Sequence, residues 1–221
     1  MNKKGFIFDL DGVIVDTAKY HYLAWKNLAK ELGISFSHIQ NEQLKGVSRI
    51  RSLEKILEWG NLEISKEKFN TLLAEKNEEY LSYIDKMDEN EILPDVSRVL
   101  EYLQTQYCGI SLGSASKNAR IILDKVNLRH HFEAVVDGTD VTKAKPNPEV
   151  FLKGAQMLQI PPEQCIVFED SVAGIQAANS AKMISIGIGD RTILHEADYV
   201  FANFTEMNNQ FIDLLLTTTK A

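Results

Sequence analysis

Two carboxylates one residue apart, Asp9 and Asp11, stand in the stretch Asp9-Leu10-Asp11-Gly12-Val13-Ile14. Residues i and i+2 of an extended chain share a face, so the pair can converge on one ligand. An Asp-Gly turn closing a strand would look the same, and this stretch alone does not separate the two readings. Further polar groups follow, each just after an apolar run or a short loop beyond one: Ser114-Ala115-Ser116-Lys117-Asn118, Lys145-Pro146 and Glu169-Asp170-Ser171. Singly, Ser114 and Ser116 read as helix caps and Lys145 as a solvated charge. Four such groups on one edge of one sheet point to a site, and its chemistry would be phosphoryl transfer. Asp9, Asp11, Glu169 and Asp170 would repel one another and raise their pKa values unless a cation sat among them. Oxygen ligands from few carboxylates suit Mg²⁺. Asp9 could then attack phosphorus, and Asp11 could move the proton of the sugar oxygen. Ser114 and the amides after it could hold the transferring oxygens, and Lys145 could neutralise them.

The elements that must place these groups are legible as a pattern. Gly5-Phe6-Ile7-Phe8, bounded by lysines, reads as a buried parallel strand ending at Asp9. From Pro94 onward strands alternate with helices: helix 95–106, strand 108–113, helix 117–127, strand 134–136, helix 148–158, strand 165–168, helix 172–181, strand 183–188, a short strand at 199–201 and a last helix. This alternation implies an α/β fold, a doubly wound parallel sheet with a Rossmann-like core. Ligands bind such sheets beyond the carboxyl ends of the strands, which is where the polar groups fall. Between the first strand and Pro94 the pattern is helical. One helix is capped by Asp16 or Thr17 and ends at Gly33, with His21, Trp25, Leu28 and Leu32 on one face. A second begins near Ser48, with Ile50, Leu53, Ile56 and Leu57 inward; a third covers about 65–83. We read an inserted α-helical cap domain over 16–90, with the core domain formed by 1–15 and 91–221. Gly187-Ile188-Gly189 is a weak dinucleotide signal, with Thr192 where a third glycine would stand, and it is set aside.

Composition narrows the class. The 221 residues are 44% hydrophobic and 25% charged, as in ordinary soluble domains. A formal charge of −7 argues against a nucleic-acid or anionic-membrane surface and leaves room for a local basic pocket. Cys108 and Cys165 lie in apolar stretches and read as buried thiols of a reducing compartment. The basic start has no apolar run of signal-peptide length, and no stretch is long enough to span a membrane. A cytoplasmic location is expected, and a closing cap is compatible with a monomer.

The Asp-Leu-Asp-Gly-Val signature with Ser114, Lys145-Pro146 and Glu169-Asp170 in that order resembles the haloacid dehalogenase-like superfamily of phosphotransferases. The resemblance implies a strand order with the first strand between the second and the fourth, and Asp9 between Ser114 and Asp170. Within that superfamily, His21, Trp25 and Leu44-Lys45-Gly46-Val47-Ser48-Arg49 of the cap, with Ser114 to Asn118 of the core, look like the β-phosphoglucomutase family, which interconverts β-D-glucose 1-phosphate and glucose 6-phosphate. It implies Asp9 as nucleophile and Asp11 as general acid–base. It implies Mg²⁺ held by Asp9, Asp11 through its carbonyl, and Asp170, with Glu169 adjacent or liganding. It implies that Arg49, Ser116, Lys117 and Asn118 hold the phosphate that is not being transferred, and that His21 bonds near Asp11. Lys45, Gly46, Val47, Trp25, Ser52 and Lys76 are further substrate-contact candidates. Local physics agrees for Arg49: with Ser48 as N-cap it stands in the first turn of a helix, where anions are favoured and a guanidinium can grip phosphate bidentately. The expected ligand is a small phosphosugar. The alternatives are a sugar-phosphate or phosphoglycolate-type phosphatase on the same core, and a non-catalytic phosphosugar sensor.

Overall fold

In the computed structural model, which describes residues 3–220, six strands form one parallel sheet. They are β1 (Gly5–Phe8), β2 (Gly109–Gly113), β3 (Ala134–Val136), β4 (Cys165–Glu169), β5 (Ile184–Ile188) and β6 (Tyr199–Phe201), in the order β3-β2-β1-β4-β5-β6. Phe8 of β1 stands opposite Leu112 of β2 on one side and Phe168 of β4 on the other. The chain winds outward from β1 in both directions, so the crevice beyond the end of β1 is the switch point where such sheets bind ligands.

Side chains alternate across the sheet. Phe6, Phe8, Ile110, Leu112, Ile166 and Phe168 pack under α5 (Val96–Thr105), α6 (Ala119–Lys125) and α9 (Asn209–Thr217). Ile7, Val136 and Val167 face α7 (Glu149–Leu158) and α8 (Val172–Ser180). With both faces covered, the inner strands are buried at every position and read as nearly continuous apolar runs, interrupted by Ser111 in β2 and Ser185 in β5. The Phe8 and Phe168 rings stack 4.6 Å apart directly beneath the crevice. The two cysteines are buried and unpaired, and burial pushes their thiols up, Cys108 to about 11 and Cys165 to about 12. Among the described residues no helix is long and apolar enough to cross a membrane.

The insert holds α1 (Ala18–Glu31), α2 (His38–Glu42), α3 (Arg49–Trp59) and α4 (Lys66–Ile84). Trp25, Leu28, Leu53, Ile56 and Leu72 give these helices a small core of their own. The expected helix 117–127 is shorter here, because Ser116 to Asn118 form a turn in which Ser116 Oγ accepts the Asn118 N–H at 3.2 Å. Helix α2 was not legible from periodicity; five residues carry no period, and its one signal is the capping box of Ser37 with Gln40. Ile50 corrects an expectation. It shares the stripe of Leu53 and Leu57 but lies in the first turn of α3, beyond the cap core, and is 52% exposed. Thr17 is the N-cap of α1, yet its side chain caps nothing; the hydroxyl goes elsewhere, as described below. Both chain crossings between core and insert run side by side: Val15 bridges Ile92, Ile14 O accepts the Leu93 N–H at 3.0 Å, and Glu91 O accepts the Asp16 N–H at 3.0 Å.

Candidate active site

The ends of β1 and β4, with the loop that follows β3, supply the base of the site. Asp9 follows β1, and its backbone N–H is held by Phe168 O at 2.9 Å, which fixes it against β4. Glu169 ends β4 and is wholly buried; its Oε2 accepts the backbone N–H of Ser171 at 2.9 Å and the Ser171 hydroxyl at 2.8 Å. Lys145, 5% exposed, reaches between the two: its Nζ is 2.5 Å from Asp9 Oδ1 and also bonds Glu169 Oε1. Asp9, Glu169 and Asp170 each offer a carboxylate oxygen, all within 4.8 Å of one another. Gly12, at φ +82°, makes room for this cluster, since a Cβ there would clash with the Asp170 carboxylate.

The electrostatics follow from burial. Loss of water drives the Asp9 carboxyl well above the usual range; Lys145 opposes this, and Glu169, Asp11 and Asp170 add to it. Asp170 is pushed up to about 7 by burial, against the pull of Lys45, whose Nζ lies 3.2 Å from its Oδ2. Burial alone would lower Lys145, but Asp9 and Glu169 outweigh it and hold the ammonium charged. An all-oxygen cluster with this excess of negative charge fits a hard divalent cation.

Asp11 points to the cap side. Its Oδ1 accepts the Thr17 hydroxyl and lies 3.8 Å from His21 Nε2. Burial raises its pKa, with the Thr17 bond opposing. His21 Nδ1 is 3.0 Å from Lys76 Nζ, and that ammonium sits over the rings of Trp25 and Tyr80 at 4.6 and 4.7 Å. Trp25 is therefore both cap core and cavity wall.

These groups line one cavity of about 470 Å³ between core and insert. Every candidate catalytic, substrate-contact or metal residue borders it except Ser114 and Glu169, which lie beneath it. Ser114 is fully buried, and its Oγ accepts the Ser116 N–H at 3.0 Å, so it braces the turn that carries Ser116, Lys117 and Asn118 to the cavity. From the insert come Lys45, Gly46, Val47, Arg49, Ser52 and Lys76. Gly46, at φ +70°, lets the cap loop press on the core rather than on open space, since a Cβ there would stand 2.5 Å from Ser171 Oγ. Arg49 is the first residue of α3, capped by Ser48 Oγ. Its half-buried guanidinium has no carboxylate partner among the described residues, and burial lowers its pKa. Asn118 Nδ2 donates to Asn77 Oδ1 at 3.0 Å, a bond from core to insert. Thr17, Asn77 and Tyr80 were not read as site residues. Thr17 shows only as a cap, and Asn77, next to Lys76, and Tyr80, one turn beyond it, carry no motif.

Residues 3–182 match the haloacid dehalogenase-like hydrolase family. The β-phosphoglucomutase of Bacillus subtilis is 40% identical over 211 residues, covering 95% of this chain and 93% of that protein. The fructose-1-phosphate phosphatase YqaB of Escherichia coli is 34% identical over 83% of this chain and 95% of its own. The crystal structure of β-phosphoglucomutase from Clostridium difficile superposes with a TM-score of 0.92 at 41% identity, covering 97% of each chain. With its parallel sheet, inserted helical cap and buried Asp9–Lys145–Glu169 cluster, the chain belongs to the haloacid dehalogenase-like hydrolase family.

Proposed function

We propose that this chain interconverts β-D-glucose 1-phosphate and glucose 6-phosphate, a β-phosphoglucomutase activity and so an isomerisation by phosphoryl transfer. The observation that carries it is Arg49: a half-buried guanidinium without a carboxylate partner, in the same cavity as Asp9 but on the insert. A phosphatase needs one phosphate site. A mutase that handles a bisphosphate needs two, and Arg49 with Ser116, Lys117 and Asn118 can furnish the second. The 40% identity to the Bacillus subtilis enzyme supports the same reading.

The reaction runs through an aspartyl phosphate on Asp9. Phospho-Asp9 gives its phosphoryl group to the 6-hydroxyl of β-glucose 1-phosphate, and Asp11 takes the hydroxyl proton. The resulting β-glucose 1,6-bisphosphate turns around in the cavity. Asp9 then attacks phosphorus at the other end, Asp11 returns the proton to the C1 oxygen as the P–O bond breaks, and glucose 6-phosphate leaves. Lys145 offsets charge on Asp9 and on the transferring oxygens, and Ser114 braces the turn that brings Ser116, Lys117 and Asn118 to the cavity. Mg²⁺, held by Asp9, Asp170 and the Asp11 carbonyl with Glu169 adjacent, would neutralise the phosphoryl oxygens when bound. His21 and Lys76 orient Asp11 from the cap. Lys45, Gly46, Val47, Trp25 and Ser52 shape the sugar site. Water is excluded by the cap, and an oriented sugar hydroxyl gains an effective molarity of roughly 10⁵ M or more, about 7 kcal/mol, over an unoriented one. The core spans 1–15 and 91–221 and the cap 16–90. Such an enzyme closes on its own cap, works as a monomer in the cytoplasm, and has no use for nucleic acid or membrane.

The test is a product assay. With β-glucose 1-phosphate, Mg²⁺ and a trace of β-glucose 1,6-bisphosphate, glucose 6-phosphate should form with little free phosphate, and the α-anomer should be inert. Stoichiometric free phosphate would replace this reading with a phosphatase like the Escherichia coli relative.

A further inference from the structure

One wall of the cavity is the segment 141–145, which has neither helix nor strand and ends in Lys145. A single side chain gathers it. Glu149, the first residue of α7, turns its carboxylate back over the segment. Its Oε2 accepts the Lys143 N–H at 2.8 Å, the Thr142 N–H at 3.1 Å and the Thr142 hydroxyl at 3.0 Å. Its Oε1 lies 3.2 Å from the Thr142 nitrogen and 2.9 Å from Lys153 Nζ. The Glu149 backbone N–H is anchored in turn on Asn147 Oδ1 at 3.1 Å. These donors hold the carboxyl low, at about 2, with Lys153 the largest cause and the Lys143 amide next.

The Glu149 carboxylate is solvent-accessible and touches no reacting group, so its bonds would be unremarkable anywhere else on the surface. Here the backbone they fix runs, two residues on, into the buried ammonium that bridges Asp9 and Glu169. Thr142 and Lys143 themselves border the cavity. Phosphoryl transfer depends on placing charge to within fractions of an ångström, and a misplacement of about 1 Å can cost 10²-fold in rate. We infer that Glu149 is a positioning residue: through the amides of Thr142 and Lys143 it sets the segment that delivers Lys145 to Asp9. The inference rests on the phosphoryl-transfer reading of Asp9 and is indifferent to which acceptor follows.

Three variants test it, with glucose 6-phosphate and free phosphate measured together. Glu149→Ala should lower kcat about tenfold or more with KM within about twofold. Glu149→Gln keeps one acceptor oxygen for the Lys143 amide and should recover much of the loss. Lys153→Met removes the exposed ion pair but no amide acceptor, and should stay near the parent rate. Parent-like kcat in Glu149→Ala, equal losses in the Ala and Gln variants, or a Lys153→Met loss as large as theirs would overturn the inference. If the parent releases free phosphate instead of glucose 6-phosphate, the mutase reading fails and the same comparison is read from phosphate. Independently of any substrate, a crystal structure of Glu149→Ala should show segment 141–145 shifted and Lys145 displaced from Asp9. Lys145 unmoved on Asp9 would overturn the inference whatever the reaction.

Discussion

Lys76 Nζ and His21 Nδ1 lie 3.0 Å apart in the wall of the cavity, and both groups are pulled toward their neutral forms. Burial lowers Lys76 to about 7, with Arg49 adding and Asp11 opposing. Burial likewise lowers His21 well below 6.5, with Lys76 and Arg49 adding. In the folded chain Lys76 releases its proton near pH 7; in the unfolded chain it does so near 10.5. Between these values the unfolded chain holds the extra proton, so this group's contribution to stability rises with pH across the window. Below pH 7 its penalty is fully present. Lys76→Met should remove that slope and stabilise the protein most at low pH. Urea unfolding across the window checks it; parallel pH curves for parent and variant would sink the assignment.

Asp170 titrates at about 7 in the absence of a cation, because burial and the neighbouring carboxylates outweigh Lys45. A divalent cation binds the deprotonated cluster, so Mg²⁺ affinity should climb as pH rises through 7 and proton release should accompany binding. Calorimetry in buffers of different ionisation enthalpy measures this directly. Asp170→Asn should abolish the Mg²⁺-dependent rise in Tm, and chelation should stop turnover. An affinity flat across pH 7 would contradict the cluster described here.

Arg49→Ala should impair mutase turnover far more than hydrolysis of a small phosphate ester, since the ester never needs the second phosphate site. A bidentate guanidinium–phosphate contact is worth about 1.5–3 kcal/mol, or roughly 10- to 150-fold. Equal losses on the two substrates would remove Arg49 from that role.

Asp9→Asn should leave no hydroxylamine-labile phosphoenzyme and no turnover of either kind. Residual activity near that of the parent would mean that another group takes the phosphoryl.

The hydroxyl of Tyr80 is buried and makes no hydrogen bond among the described residues. Thr17 is a neighbour; its proton is given to Asp11, so toward Tyr80 its oxygen can act only as an acceptor. An unsatisfied buried hydroxyl costs about 1–3 kcal/mol, and Tyr80→Phe removes it without opening a cavity. The variant should unfold at the parent Tm or a few degrees higher. A clear drop would mean that the hydroxyl has found a partner in solution.

The core of the site was legible because its parts end an apolar run, as Asp9, Glu169 and Asp170 do, or follow a short loop beyond one, as Lys145 does. Asp9, Lys145, Glu169 and Asp170 could be placed at one sheet edge by the strand–helix alternation before any contact was known. What stayed hidden depends on pairing across long chain separations. Thr17 read as a helix cap, and only the fold reveals that its hydroxyl turns to Asp11. Asn77 gains its meaning from Asn118, 41 residues away. Glu149 looks like an ordinary acidic residue opening a helix until the segment before it folds back. Ile50 obeyed the hydrophobic period of α3, yet a period does not say where a helix outruns the core it packs on.

The bridge between Val15 and Ile92 makes entrance and exit of the insert a single doorway. Two chain segments that cross side by side leave the sheet with no gap when what lies beyond them is changed. The helices past the doorway can thus be lengthened or rebuilt while the strand ends carrying Asp9 and Glu169 stay in register. A lineage built this way can vary the walls around its ligand while Asp9, Lys145 and Glu169 stay fixed on the sheet; Asp11, which leans on Thr17 and His21 of the insert, is the one reacting group tied to what lies beyond the doorway.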